Sequence, residues 1–157
     1  MKIVVRPMDV EAFAPFGQVL ESPGGTNRLN HAAAAANLRD DAKINVCVVR
    51  ADPAALPLKV TDMERHAFSS QAFFPLSAEK YLVMVAPAAD ENAPDVTRLQ
   101  AFSVAGHQGI NYNAGTWHHP LATIGKAGEF AVLMWEDGGA RDTDWSKVTQ
   151  DVTVVME

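Results

Sequence analysis

The stretch Glu64-Arg65-His66, with Gln71 after a four-residue spacer, carries residue types suited to acid–base chemistry. On an extended segment Glu64 and His66 share one face, and Arg65 takes the other. A short connection then places Gln71 on the neighbouring limb. A carboxyl, an imidazole and an amide on adjacent strands can exchange protons with a small polar ligand and bind it.

A second candidate stretch covers residues 109–121, where a short strand and a turn lead to an aromatic residue, two adjacent histidines and a proline. Neighbouring residues on an extended segment point to opposite faces, so His118 is predicted to face inward and His119 outward. Pro120 has no backbone N–H, which indicates that this strand ends at an edge or a bend. The inward histidine could meet the side chains of the first stretch.

These side chains have different expected roles. A carboxyl inside an apolar barrel has a raised pKa unless it is paired, which suits Glu64 to donate a proton. His66 and His118 are candidate bases, acids or metal ligands, and the alternative for each is a structural core histidine. Gln71 suits substrate binding because its amide can serve both an N–H group and a carboxylate. Arg65 faces away from His66, so it either binds substrate or forms a structural salt bridge.

The surrounding segments must position these residues, and they form short apolar runs separated by turn residues. The sequence predicts about ten strands at a spacing of roughly 8–12 residues, which is typical of an all-β sandwich or barrel. One or two short helical turns are expected, the first of them capped by Asp9. The apolar run over 81–86 predicts a strand buried on both faces. Turn residues over 77–80 and 125–128 predict two hairpins.

Length and composition limit the functional classes. A chain of 157 residues predicts a single domain over 1–157 with a substantial core. The net charge of -6 and only 13 Lys and Arg residues argue against a nucleic-acid partner and leave a small-molecule substrate. Cys47 is the single cysteine, so no intramolecular disulfide can form, and we expect a buried structural thiol.

Neither a targeting segment nor a membrane span is expected. Residues 1–6 read as a strand with a charge near each end, whereas a signal peptide needs an apolar region of at least ~7 residues. No run approaches the ~18 apolar residues of a membrane helix. We therefore expect a cytoplasmic protein without membrane contact. The segment over 22–43, with its alanine run 32–36, is predicted to be a surface loop, either solvated or a lid over substrate.

The two stretches resemble the paired motifs of cupins, which carry a metal-binding or catalytic cluster inside a jelly-roll barrel. The matching residues are Glu64-x-His66-x4-Gln71 and Gly109-x5-Gly115-x2-His118. Metal-binding cupins offer three histidines and a glutamate, whereas this chain offers two histidines, a glutamate and an amide. An amide oxygen is a poor ligand for zinc or iron. No cofactor is therefore required, but a divalent metal could bind, with His66, Gln71, His118 and Glu64 as its ligands.

A narrower resemblance covers most of the chain. The segments that carry it are Arg50-Ala51-x-Pro53-Ala54-x-Leu56-Pro57-Leu58, Glu64-Arg65-His66-x4-Gln71-Ala72-Phe73-x-Pro75, Gln108-Gly109-x-Asn111-Tyr112 and Trp117-His118-His119-Pro120-Leu121. In this order they resemble the ureidoglycolate lyase family. The resemblance implies a cupin-like β-barrel (a jelly-roll), usually a homodimer, that splits ureidoglycolate into urea and glyoxylate late in allantoin breakdown, a part of purine catabolism.

Cleavage of that substrate needs one group to take the hydroxyl proton and another to protonate the departing nitrogen, without redox chemistry. We expect His118, His66 and Glu64 to be catalytic. The predicted substrate-binding residues are Gln71, Tyr112, Arg65 and Trp117, and the last of these could equally be core or cavity wall. One alternative is a metal-dependent cupin enzyme acting on another small hydroxy or ureido acid. The other is a non-catalytic cupin that senses a small carboxylic acid.

Overall fold

The computed structural model describes residues 1–21, 24–25, 27–31 and 35–156. Strands dominate these described residues, which also contain one helical turn near the N-terminus and one 3-10 turn between β8 and β9. The elements are β1 Lys2–Val4, β2 Arg6–Pro7, α1 Val10–Phe13, β3 Gly17–Leu20, β4 Lys43–Ala51, β5 Leu58–Lys59, β6 Asp62–Arg65, β7 Gln71–Pro75, β8 Lys80–Ala86, the 3-10 turn Val96–Arg98, β9 Gln100–Ala105, β10 Gly109–Tyr112, β11 Trp117–His118, β12 Ala122–Thr123, β13 Gly128–Glu136, β14 Asp144–Lys147 and β15 Thr153–Val155. Asp9 caps α1 by accepting hydrogen bonds from two backbone N–H groups of its first turn, as predicted.

These strands form three sheets. A five-stranded sheet has the order β3-β10-β7-β13-β4, and a larger sheet has the order β14-β6-β11-β8-β9-β2, with β12 also paired to β8. A small third sheet has the order β1-β15-β5. The all-β prediction with short helices is confirmed, and the arrangement fits a cupin-like jelly-roll. Part of the predicted loop over 22–43, including residues 32–34 of its alanine run, lies outside the described residues.

Strand β8 shows how the three sheets are layered. Its odd-numbered residues, from Tyr81 to Val85, enter a core shared with the five-stranded sheet. Its even-numbered residues, from Leu82 to Ala86, enter a second core beneath the small sheet. The prediction that this strand is buried on both faces is thus confirmed, because successive side chains of a strand alternate between two apolar layers. Aromatic rings fill the first core, and the rings of Phe73 and Phe130 meet edge to face.

The two predicted hairpins are wrong. Strand β7 pairs with β10 and β13, while β8 pairs with β9, β11 and β12, so residues 76–79 carry the chain from one sheet to the other. Residues 124–127 do the same between β12 and β13. Turn residues specify that the chain reverses, but they do not specify which strand becomes the next hydrogen-bonded neighbour.

Helices long and apolar enough to cross a membrane are absent from the part of the chain that the structure describes.

Substitution of Gly106 tests how closely the chain is packed at residues 76–79, which connect the two large sheets. A Cβ atom at this position would lie 1.8 Å from the backbone carbonyl oxygen of Ala78, an atom that no side-chain rotation can move away. We expect Gly106→Ala to lower the free energy of unfolding by about 1–3 kcal/mol in urea denaturation. Gly25→Ala is the control, since a Cβ there has no neighbour within 4 Å, and its effect should stay within about 0.5 kcal/mol. Equal stability of the two variants would contradict this account.

Candidate active site

Pairing of β6 with β11 brings the two predicted stretches together. In this antiparallel pair His118 lies directly opposite Glu64. His66 follows β6 and shares a face with Glu64. One potential ligand atom from each of these three residues lies within 4.8 Å of the others. The register of one short strand pair therefore assembles a carboxyl and two imidazoles from positions more than fifty residues apart.

A cavity of about 270 Å³ opens beside this cluster, at one end of the space between the two large sheets. Its wall consists of Cys47, Val49, Arg50, Ala51, Glu64, His66, Gln71, Phe73, Leu121, Val132, Met134 and Glu136. A larger cleft beside residues 113–116 contains none of the clustered ionisable groups. The combination of apolar wall and convergent polar groups marks the smaller cavity as the candidate active site.

The imidazole of His66 has a defined tautomer. Its Nδ1 lies 2.8 Å from the backbone carbonyl oxygen of Asp142. A carbonyl oxygen only accepts hydrogen bonds, so Nδ1 carries the proton and Nε2 keeps its lone pair. Nε2 is buried and has no hydrogen-bond partner among the described residues. Burial lowers the pKa of His66, although the Asp142 carbonyl and nearby carboxylates oppose this shift, and the ring is neutral near pH 7.

His118 is held in the same tautomer behind Glu64. Its Nδ1 lies 2.9 Å from the carbonyl oxygen of Thr116, and its Nε2 lies 3.6 Å from Oε1 of Glu64. The ring is almost fully buried and stacks on Tyr112, with 4.2 Å between ring centroids. Burial, and next the neighbouring His66, lower the pKa of His118 to about 3. This imidazole is also neutral at physiological pH.

Glu64 is the ionisable group that can be protonated in this cluster. Its side chain retains 17% of its exposure and forms part of the cavity wall. Burial raises its pKa to about 7, because a carboxylate loses hydration there. A carboxyl that is partly protonated near neutral pH, beside two neutral imidazoles, can donate a proton to a bound molecule.

Gln71 presents an amide to the same cavity. It begins β7 and pairs in register with Tyr112 of β10. Its Nε2 donates a weak hydrogen bond to the sulfur of Met134, 3.4 Å away, while its Oε1 is buried without a partner among the described residues. Buried polar atoms are normally hydrogen-bonded. The amide therefore has capacity for a ligand, which is consistent with the predicted binding role.

The structure does not bring the other three predicted binding residues to the cavity wall. Arg65 faces the opposite side of β6, where its Nε lies 2.8 Å from Asp144 and its guanidinium covers the Trp117 ring at 4.7 Å. Trp117 belongs to the second core. Tyr112 belongs to the first core and contacts the His118 ring. These positions match the structural alternatives for Arg65 and Trp117, and they give Tyr112 contact with the cluster rather than with the cavity.

The cluster has a donor set that fits a divalent cation. The buried Nε2 atoms of His66 and His118 both carry lone pairs without hydrogen-bond partners, and Glu64 supplies a carboxylate. Two imidazoles and one carboxylate form a common ligand set for zinc and other transition metals. Glu64, His66 and His118 are therefore the residues that could hold such an ion.

Comparison with known proteins shows which family this chain matches. All 157 residues match the ureidoglycolate lyase family. A ureidoglycolate lyase of Pseudomonas putida (strain W619) is 35% identical over 163 aligned positions, which cover 98% of this chain and 96% of the relative. A ureidoglycolate lyase of Burkholderia mallei (strain NCTC 10229) is 39% identical, over 82% of this chain and 79% of the relative.

The chain belongs to the ureidoglycolate lyase family. A third relative, a ureidoglycolate lyase of Pseudomonas savastanoi pv. phaseolicola, is 38% identical over 84% of this chain and 82% of its own length. The family membership inferred from Glu64-Arg65-His66 and Trp117-His118-His119 is thereby confirmed.

Several residues that shape the cavity were not predicted from the sequence. Cys47 packs against the first core, which fits the expected structural thiol, but it is only partly buried and lies in the cavity wall, so the expectation of full burial is wrong. Its position follows from its pairing with Val132, because odd-numbered residues of β4 face inward. Met134 and Asp142 contact Gln71 and His66 from distant strands or turns. The alternation of inward and outward side chains along β4 and β13 could have predicted the wall residues. Asp142 could not be predicted in this way, because it contacts His66 through its backbone carbonyl.

Proposed function

We propose that this protein is a ureidoglycolate lyase, which splits ureidoglycolate into urea and glyoxylate. The observation that carries the proposal is the cluster of Glu64, His66 and His118 at a small cavity, in a chain that matches this family over its whole length. Its carboxyl and imidazoles hold the protonation states that an elimination requires.

The reaction moves protons and breaks one bond. One carbon of ureidoglycolate carries a hydroxyl, a carboxylate and a urea nitrogen. A base takes the hydroxyl proton, the oxygen forms a carbonyl, and the carbon–nitrogen bond breaks as an acid protonates the departing nitrogen. The products are glyoxylate and urea. No oxidation or reduction takes place, and no covalent enzyme intermediate forms. Acid and base catalysis each contribute typically ~10²–10⁴-fold to such a step.

We assign the base to His66, which lines the cavity and whose neutral Nε2 has no hydrogen-bond partner among the described residues. Glu64 is the acid, since it reaches the wall and is protonated in a sizeable fraction of molecules near pH 7. His118 lies behind Glu64, with 3.6 Å between Nε2 and Oε1, and we assign it the role of keeping the carboxyl in place by packing rather than by a hydrogen bond. Gln71 binds the ureido or carboxylate group through its amide. The predicted roles of Arg65, Tyr112 and Trp117 in substrate contact are not retained in this proposal, because none of them lines the cavity.

A divalent metal could take part in the reaction. Bound to Glu64, His66 and His118, it would polarise the hydroxyl or carboxylate oxygen of the substrate. The proposed proton transfers need only the side chains already present, so we propose that a metal is not required. A metal-dependent enzyme acting on a related hydroxy or ureido acid is the second candidate function, supported by the fit of the same three ligands.

We place the reaction in allantoin breakdown, as the family resemblance implies. We also propose a cytoplasmic location.

Glyoxylate release from ureidoglycolate tests the activity directly. We expect the purified protein to raise the rate of release well above the spontaneous background, and to keep this rate after treatment with a chelator. Loss of activity on chelation, with recovery on adding Zn²⁺ or Mn²⁺, would establish the metal-dependent alternative. A rate equal to background, together with binding of glyoxylate, would instead support a non-catalytic sensor.

The pH dependence follows from the two assigned groups. Glu64 must be protonated, and its pKa is about 7, so kcat/KM should fall about tenfold per pH unit above that value. His66 must be neutral, and its pKa is lowered below 6.5, so activity should fall on the acid side only below that value. We expect a bell-shaped profile whose alkaline limb begins near pH 7. Glu64→Gln should reduce kcat/KM by ~10²–10⁴-fold and remove the alkaline limb.

Glu79→Gln is the matched control, because Glu79 is exposed and pairs with Lys126 away from the cavity. Its profile should equal that of the unaltered protein. Retention of the alkaline limb in Glu64→Gln would assign the acid to another group.

We further propose that the protein is a homodimer that uses the outer face of the five-stranded sheet. Ile44, Val46 and Val48 of β4 are each more than half exposed, and Phe74 of β7 lies on the same face. β4 is also the edge of its sheet among the described strands, and its nine residues offer backbone groups for pairing. A long apolar edge strand is an aggregation site unless something covers it. A second copy covers it symmetrically, since the same strand is available on each molecule.

Light scattering coupled to size-exclusion chromatography measures this assembly. The protein should have twice the mass of its 16.9 kDa chain. Val46→Lys should shift it towards the monomer, because each interface would bury two ammonium groups in an apolar contact. Val10→Lys is the control, as Val10 is 53% exposed but lies on α1. A monomeric mass for the unaltered protein at all concentrations would contradict the proposed dimer.

A further inference from the structure

Arg39 is a buried cation outside the cavity. Its side chain retains 5% of its exposure. The guanidinium donates from Nη1 to Asp137, at 2.9 Å, and from Nη2 to Asp142. A buried charge is costly unless it is paired and hydrogen-bonded. Two carboxylates pair the charge of the guanidinium through Nη1 and Nη2, while Nε has no partner among the described residues, and they connect residue 39 to the turn that follows β13.

Asp142 links this ion pair to the active site. Its carboxylate also accepts hydrogen bonds from the backbone N–H groups of Asp137 and Gly138, which closes the turn over 137–142. Its own backbone carbonyl accepts the Nδ1–H of His66 at 2.8 Å. One residue therefore receives the Arg39 guanidinium through its side chain and holds the proposed base through its backbone.

The segment that carries Arg39 also pairs with the connection between His66 and Gln71. The N–H of Leu38 donates to the carbonyl of Phe68 at 2.8 Å, and the N–H of Ser70 donates to the carbonyl of Ala36 at 3.0 Å. The guanidinium itself lies over the Phe68 ring, 5.5 Å from its centroid. Residues 36–39 thus contact both segments that flank the imidazole of His66.

We propose that Arg39 is a positioning residue for His66. By holding Asp137 and Asp142 together, it keeps the Asp142 carbonyl on Nδ1–H, so that the imidazole stays in one tautomer with its lone pair on Nε2. Without the guanidinium, two neighbouring carboxylates repel each other and the turn over 137–142 moves away. The catalytic consequence rests on the proposed function, in which His66 Nε2 takes the substrate proton. The structural consequence, the tautomer of His66, does not depend on it.

Arg39→Met and Arg141→Met form a matched pair. Arg141 also donates to Asp137, but it is exposed, its second partner is Asp41, and it does not reach Asp142. Nitrogen–proton correlation spectra of the imidazoles, assigned with His66→Gln, report the tautomer. The unaltered protein and Arg141→Met should show His66 protonated at Nδ1 alone. Arg39→Met should show a mixture of both tautomers.

The rate of glyoxylate release can be compared among the same variants. Arg39→Met should lower kcat for glyoxylate release by about 10²-fold, as expected when a catalytic group loses its alignment, with a smaller change in KM. Arg39→Lys should recover part of kcat, since one ammonium can still neutralise one of the two carboxylates. Arg141→Met should change kcat less than twofold.

Asp142→Asn is the substitute variant for the tautomer measurement if circular dichroism and thermal unfolding show that Arg39→Met does not fold. It retains the backbone carbonyl and one acceptor oxygen but loses the charge that binds Arg39, so it should also show mixed tautomers. A single Nδ1-protonated His66 in the folded variants overturns the proposal, whatever the activity. If the unaltered protein releases no glyoxylate, the proposed function fails, while the tautomer comparison still decides the role of Arg39.

Discussion

The pairing of β6 with β11 is the interaction on which the candidate site depends. His118 can lie opposite Glu64 only in one register of these two strands. Side chains alternate with a period of two, so a slip by one residue would turn Glu64 and His66 into the second core and bring Arg65 to the cavity. The cluster is therefore maintained by backbone hydrogen bonds and by the apolar layers on both sides of the sheet.

Those layers also explain why the cluster has its unusual ionisation. The first core surrounds His118 with apolar and aromatic groups and excludes water, so that neutral forms of its imidazole and of Glu64 are favoured. Behind the strand, Trp117 fills the second core and Arg65 covers its ring. Residues that do not touch the cavity thus keep β6 and β11 in place. The same burial that costs stability gives the carboxyl a pKa suited to proton donation.

Three buried polar atoms without partners among the described residues lie at the candidate site. Nε2 of both histidines and Oε1 of Gln71 are among the unsatisfied atoms of the described residues. Each such atom carries a desolvation cost of about 1–3 kcal/mol in an ordinary core. A site that binds a polar molecule recovers this cost when the ligand supplies the missing hydrogen bonds. The same unpaired buried atoms therefore cost folding stability and allow the cavity to bind a polar ligand.

The sequence by itself determined the all-β class, the burial of β8 on two faces, and the family, because periodicity and local motifs depend on neighbouring residues. It also determined that Glu64 and His66 share a face while Arg65 takes the other, since this follows from strand geometry alone. It failed for the turns over 77–80 and 125–128, where the partner strand is set by packing between sheets. Only the tertiary structure decided that Cys47 and Met134 line the cavity and that Asp142 holds His66. Those contacts join residues far apart in the chain, and the last is made by a backbone carbonyl, a group that every residue has.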